Sequence, residues 1–141
     1  MSEHSKIAIV IHSLNGGGSE HVAALMASHW AALGREVTLI TLDEVAGDTI
    51  AIHENVGRIG LGLLSESLGV FSAVIANRKR VRELRTAILQ TGAARVISLT
   101  DRMNVLTILA CRGTGLRPIV AERTDPRYHR IGRLWSFLRR R

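Results

Sequence analysis

Residues 6–42 read KIAIVIHSLNGGGSEHVAALMASHWAALGREVTLITL, and the order of events in this stretch decides the fold. An uninterrupted apolar run rich in β-branched residues, Ile7 to Ile11, predicts a strand buried on both faces. Three consecutive glycines, Gly16, Gly17 and Gly18, follow within a few residues. Apolar residues then recur at Val22, Leu25 and Met26, Trp30 and Leu33, which is helical spacing and predicts a helix over 19–33. Ser19 is placed to cap its start, and Gly34 stands where a left-handed residue ends a helix. EVTLITL, residues 36–42, predicts the next strand. Strand, glycine loop, helix and strand make one βαβ unit.

The alternation continues outward from that unit. NVGRIGLG at 55–62 predicts a short third strand. Residues 70–90 predict a long helix with Val74, Val81, Leu84 and Ile88 on one side. ARVISL at 94–99 predicts a fourth strand, 104–111 a short helix and RPIVA at 117–121 a fifth strand, with another helix starting at Arg130. Strands alternating with helices through short glycine-bearing loops predict an α/β, Rossmann-like, mostly parallel sheet with helices on both faces. A chain of 141 residues corresponds to one domain, residues 1–141. LWSFLRRR at 134–141 runs to the end inside an amphipathic pattern with no cap, so the expectation is a chain cut within its last helix.

Composition narrows the class. The chain is 46% hydrophobic and 22% charged, which argues for a folded domain rather than a disordered one. No stretch reaches the roughly 20 apolar residues of a membrane span, and MSEHSKIAIV is not a secretory leader. Cys111 is the only cysteine, which excludes an internal disulfide framework and fits a reducing cytoplasm. The six histidines contain no H-x-x-x-H pair, so a metal site is not expected. The net charge of +7 is regional: seven arginines and one acid, Asp125, fall within 123–141. With aromatic content at 4%, the basic residues lack the interleaved rings of a nucleic-acid surface, and nucleic acid is not an expected partner.

A glycine loop between strand and helix either cradles an anion on free helix amides or merely permits a tight turn. A Walker A loop is excluded, because Ser19 and Glu20 rather than lysine and serine or threonine follow Gly18. The dinucleotide fingerprint G-x-G-x-x-G fits Gly16 and Gly18 but meets His21 at its third position, where glycine allows close helix–strand packing. Asp43, after the second strand, sits where a ribose-binding acid would. An NAD(P)-binding oxidoreductase domain therefore stays open as an alternative.

The stretch GGGSEHVAALMASHWAALGREVTLIT resembles the N-terminal domain of family-four retaining glycosyltransferases with the GT-B fold, whose first loop reads Gly-Gly-x-Glu-Arg. Gly17, Gly18 and Glu20 lie on that pattern, Ser19 is its variable residue, and His21 stands where arginine is usual. VISLTDRMNVLTILACRGTGLRPIVAERTDPRYHR, residues 96–130, is similar to the polysaccharide-assembly branch of that family. There a strand ends in a polar turn bearing asparagine, and the next runs into Ser-Glu-Arg-x-x-Pro. Glu122, Arg123 and Pro126 match, while Ala121 replaces the serine.

The resemblance implies the acceptor-binding half of a two-domain enzyme that moves a sugar from a nucleotide sugar to a glycan or lipid-linked acceptor. It implies retention of configuration, no metal or other cofactor, and a separate donor-binding domain, without which this chain is inactive. The donor domain's Glu-x7-Glu spacing occurs only at Glu36 and Glu44, which bracket a predicted strand and so stand about 26 Å apart. The implied donor-diphosphate loop is Gly16, Gly17, Gly18, Ser19 and Glu20, with the Gly17 and Gly18 amides facing the diphosphate. The implied acceptor residues are Thr100, Asp101, Asn104, Glu122, Arg123 and Asp125 on the same rim, Asp101 also being placed to cap a helix. Arg78, Arg82 and Arg85 recur at i, i+4 and i+7 beside Lys79, as a solvated face or as a stripe for anionic lipid. The expected location is the cytoplasm, at the inner face of the membrane. A non-catalytic domain completed in trans by another chain is the remaining alternative.

Overall fold

The apolar run after Lys6 forms β1 (Ile7–Ile11), buried along its whole length at the centre of the sheet. The computed structural model describes residues 5–64 and 69–122. Along the chain follow α1 (Gly18–Ala32), β2 (Val37–Thr41), a single 3-10 turn (Val45–Gly47), β3 (Val56–Gly60) and α2 (Val70–Thr91). β4 (Arg95–Leu99), α3 (Asp101–Cys111) and β5 (Ile119–Ala121) complete it. The five strands lie in the order β3-β2-β1-β4-β5 and every pairing is parallel. The fold is α/β and Rossmann-like. The helix expected from Arg130 lies outside the described residues.

The strand period of two divides the core into two layers. Ile7, Ile9 and Ile11 pack with Leu39 and Leu99 against Ala23, Ala24, Ala27 and Ala31 of α1. Ala8 and Val10 face the other way, toward Leu84, Ala87 and Ile88 of α2 and Met103 and Leu106 of α3. Helices therefore cover both faces, as a parallel sheet requires.

Several details depart from the sequence-based expectation. The most deeply buried face of α1 is its alanine face, flanked by the partly buried Val22, Met26 and Trp30, while Leu25 and Leu33 are 71% and 62% exposed. Small side chains let the helix lie close on the sheet, and the leucines are left outside. The cap of α1 is Gly17, not Ser19. Gly34 does take the expected left-handed conformation, with φ +79°, and its N–H closes on the carbonyl of Ala31 at 2.9 Å. Val74 is exposed rather than packed, because the first turns of α2 extend beyond the sheet. α3 begins at Asp101, three residues earlier than expected, and β5 is confined to the three residues after Pro118.

Candidate functional site

In a parallel sheet every connection leaving a strand's carboxyl end emerges on one rim. The chain moves from β1 outward to β2 and β3, then crosses to β4 on the other side of β1. The direction reverses between the loops that follow β1 and β4, and ligands of such sheets collect at that switch point.

The β1–α1 loop is organised from inside by Glu20. Its buried carboxylate accepts from the Ser13 hydroxyl and from the Gly17 N–H, and His12 Nε2 lies 3.3 Å from Oε1. Glu20 is the third residue of α1, so this is the returning half of a capping box, with glycine at the cap. A Cβ at Gly17 would run into the Glu20 carboxylate, whereas one at Gly18 meets nothing within 4 Å. Gly16 has φ +112°, a region open to glycine and strained for other residues. Neighbouring loops hold the outside. Leu14 O accepts from the N–H groups of Thr49 and Ile50 at 3.0 and 3.3 Å, and Asn15 Nδ2 donates to Asp43 Oδ2 at 3.0 Å.

This geometry redistributes the roles expected of the five loop residues. Glu20 points into the loop rather than out of it, and the Gly17 amide is already paired with Glu20. The first intrahelical bond runs from His21 N–H to Gly17 O at 3.0 Å, so the amides of Gly18, Ser19 and Glu20 precede it in the first turn. Those three donors sit at the positive end of the helix dipole, on the rim where an anion can meet them. His21 Nδ1 lies 3.0 Å from Gly17 O. A carbonyl only accepts, so Nδ1 carries the hydrogen and Nε2 remains available.

On the other side of the switch point, after β4, Thr100 holds φ +86°, the only positive φ among the described non-glycine residues. For a β-branched residue that backbone is strained, and such strain concentrates at functional sites. Thr100 N–H donates to Ala121 O at 3.3 Å, Asn104 N–H to Thr100 O at 2.8 Å, and Asn104 Nδ2 to Ala121 O at 3.1 Å. Asn104 thus ties α3 to the end of β5, its Oδ1 buried with no hydrogen-bond partner among the described residues. Asp101 is half-buried in the first turn of α3 and does not cap it; the cap residue is Thr100. Glu122 is exposed just past β5 on the same rim. Arg123 and Asp125 lie outside the described residues, as does Pro126 of the resembling motif.

Three features of this rim were not anticipated. His12 and Ser13 lacked a motif, although a glutamate three residues beyond a glycine pair signals a capping arrangement. Arg58 braces the β2–β3 connection, with Nε and Nη2 on Asp48 at 2.8 and 2.6 Å and Nη2 on Thr41 Oγ1 at 2.8 Å. Asp43 has both carboxylate oxygens engaged, Oδ2 by Asn15 and Oδ1 by the Glu44 N–H at 2.8 Å. Glu36 and Glu44 stand at opposite ends of β2, Glu36 paired with Lys6 at 2.8 Å. Among the described residues no cluster of three or more His, Cys, Asp or Glu side chains could hold a metal ion, and no helix is long and apolar enough to cross a membrane. No protein-family model matches the chain, and no curated protein matches it.

Proposed function

We propose that the chain is the acceptor-side domain of a retaining glycosyltransferase with the GT-B architecture. In that role it forms one wall of a cleft in which a sugar passes from a nucleotide sugar to a glycan or lipid-linked acceptor. The observation that carries this reading is the position of Glu20. Its carboxylate braces the Gly-Gly-x-Glu loop from within, leaving the amides of Gly18, Ser19 and Glu20 in the first turn of α1 beside the switch point. Charge develops on the departing diphosphate during glycosyl transfer, and fixed N–H donors stabilise such charge without reorganising. The donor site belongs to a second domain in this architecture, which the reading requires. No metal or other cofactor is assigned a role.

Thr100, Asp101 and Glu122 are the described rim residues offered to an acceptor, and Asn104 acts by holding that rim together. The engagement of Asp43 by Asn15 and Glu44 counts against the dinucleotide alternative, which needs that carboxylate on a ribose.

The test is an amide-resolved NMR titration of the chain with pyrophosphate, UDP and NADH. Diphosphates are expected to shift the Gly18, Ser19 and Glu20 amides without added magnesium, and Gly18→Val, placed where a side chain has room, should abolish those shifts while the fold persists. NADH binding tighter than either diphosphate, with shifts centred on Asp43, would replace this reading by the oxidoreductase one. Silent loop amides would reduce the glycines to a turn and overturn it.

A further inference from the structure

α2 is about twice as long as the strands beside it. Its 22 residues span about 33 Å, against about 17 Å for a five-residue strand. The packed residues Leu84, Ala87 and Ile88 lie in its second half, near the amino end of β4. The helix is entered from the carboxyl end of β3, so its surplus length projects past the rim that carries the glycine loop. Arg80 marks the level of that rim. Its Nε donates to Leu63 O at 3.0 Å, and the Leu63 N–H donates to Leu42 O, one residue beyond β2. Helix side chains lean toward the N-terminus, so the first two turns, with no buried residue among 70–75, extend past that level by about 10 Å of helix.

What projects has a definite chemistry. Phe71, Ile75, Arg78 and Arg82 recur at i, i+4, i+7 and i+11, one continuous stripe on the side away from Leu84 and Ala87. Phe71 is 88% and Ile75 67% exposed, and Val70 at 82% widens the apolar tip together with Val74. Arg78 and Lys79 are exposed directly behind it. The only acid of α2 is Glu83, which pairs with Arg82 at 3.1 Å. Four exposed large hydrophobes within two turns are a patch rather than scattered residues. An apolar tip backed by arginine and lysine complements a surface that is apolar within and anionic at its edge, which describes a bilayer.

We propose that the projecting first half of α2 is a membrane-interface anchor, with Val70, Phe71, Val74 and Ile75 entering the acyl boundary and Arg78, Lys79 and Arg82 meeting anionic headgroups. Interfacial helices bury their apolar face about 5–10 Å deep, comparable to the two apolar turns here. The anchor turns the carboxyl rim of the sheet toward the bilayer. Only the added consequence, that the glycine-loop rim then meets a lipid-linked acceptor, rests on the glycosyltransferase reading; the docking itself stands without it.

The experiment is sedimentation of the 141-residue chain with phosphatidylcholine vesicles and with vesicles containing 30% phosphatidylglycerol, at low and high salt. Binding is expected to the anionic vesicles and to weaken with salt. Arg78→Gln with Arg82→Gln should weaken it about 30-fold, at roughly fivefold per basic residue. Phe71→Ser with Ile75→Ser should weaken it tenfold or more while leaving the melting temperature unchanged. Absent binding, or equal binding to neutral vesicles, overturns the proposal. So does a lower melting temperature in the Phe71/Ile75 double variant, which would mean that this chain covers its own patch. A dimer that the same variant dissolves would assign the face to a second copy and overturn it equally. NADH or diphosphate binding, whichever is found, leaves this outcome unaffected.

Discussion

Glu20 shows how much one buried carboxylate can organise. It holds the Ser13 hydroxyl and the Gly17 N–H on opposite sides of the glycine loop. Removing it leaves the buried Ser13 hydroxyl without its partner, at about 1–3 kcal/mol for a buried group left unpaired, while the exposed Gly17 N–H can turn to water. Glu20→Ala should therefore lower stability by roughly 1–3 kcal/mol in urea unfolding, while Glu20→Gln, which keeps an oxygen for Ser13 or Gly17, should lose less than half of that. A Glu20→Ala chain as stable as the parent would show that the loop is held from elsewhere. Cys111 offers a second measurement, in pH. Burial pushes its thiol above the ordinary value of 9.0, and the neighbouring Arg85 charge pulls it partly back. A raised folded-state value means the unfolded chain releases this proton first as pH rises. The thiol's contribution is thus complete below about pH 9 and is lost above it. Cys111→Ala should flatten the alkaline fall in stability, even while it lowers stability at neutral pH by about 1 kcal/mol through lost packing.

Among the elements, α1 carries the plainest lesson. Its existence and its end were legible, because apolar periodicity and Gly34 are strong local signals. Its packed face was legible only in part: Val22, Met26 and Trp30 do pack against the core, but the wholly buried apolar positions are alanines. Leucine at 25 and 33 outweighs alanine in any hydrophobicity argument, yet contact with the sheet selects for small volume at 23, 24, 27 and 31. Ala27→Leu should accordingly cost about 1–3 kcal/mol by overpacking, and Leu25→Ser should stay within about 0.5 kcal/mol of the parent in thermal unfolding. The reverse ranking would mean that α1 packs by its leucines. The start of α1 was misplaced for a related reason: the capping group comes from Glu20 inside the helix, so Ser19 was not needed. The 3-10 turn at Val45–Gly47 left no local trace either. Arg58, well beyond it in sequence, holds the adjacent Asp48, a long-range tie that pattern reading does not reach.

At the scale of the whole molecule, the sheet class followed from alternation alone, since continuous apolar strands separated by helices admit few other arrangements. The rim was foreseen as a set of loops but not as a set of internal bonds. Asn104, Asp43 and Glu20 carry polar side chains of the kind that bind ligands, and in the fold each is engaged in holding backbone or loop in place. Strand order has a further consequence, for synthesis. β1 gains β2 soon after it is made, but its other neighbour, β4, begins 84 residues after Ile11. At about 5–20 residues per second the ribosome leaves one edge of IAIVI unpaired for several seconds. An uncharged, β-branched edge is a template for pairing with other chains. The most deeply buried strand of the finished domain is thus the segment most exposed to misassembly while the domain is being made.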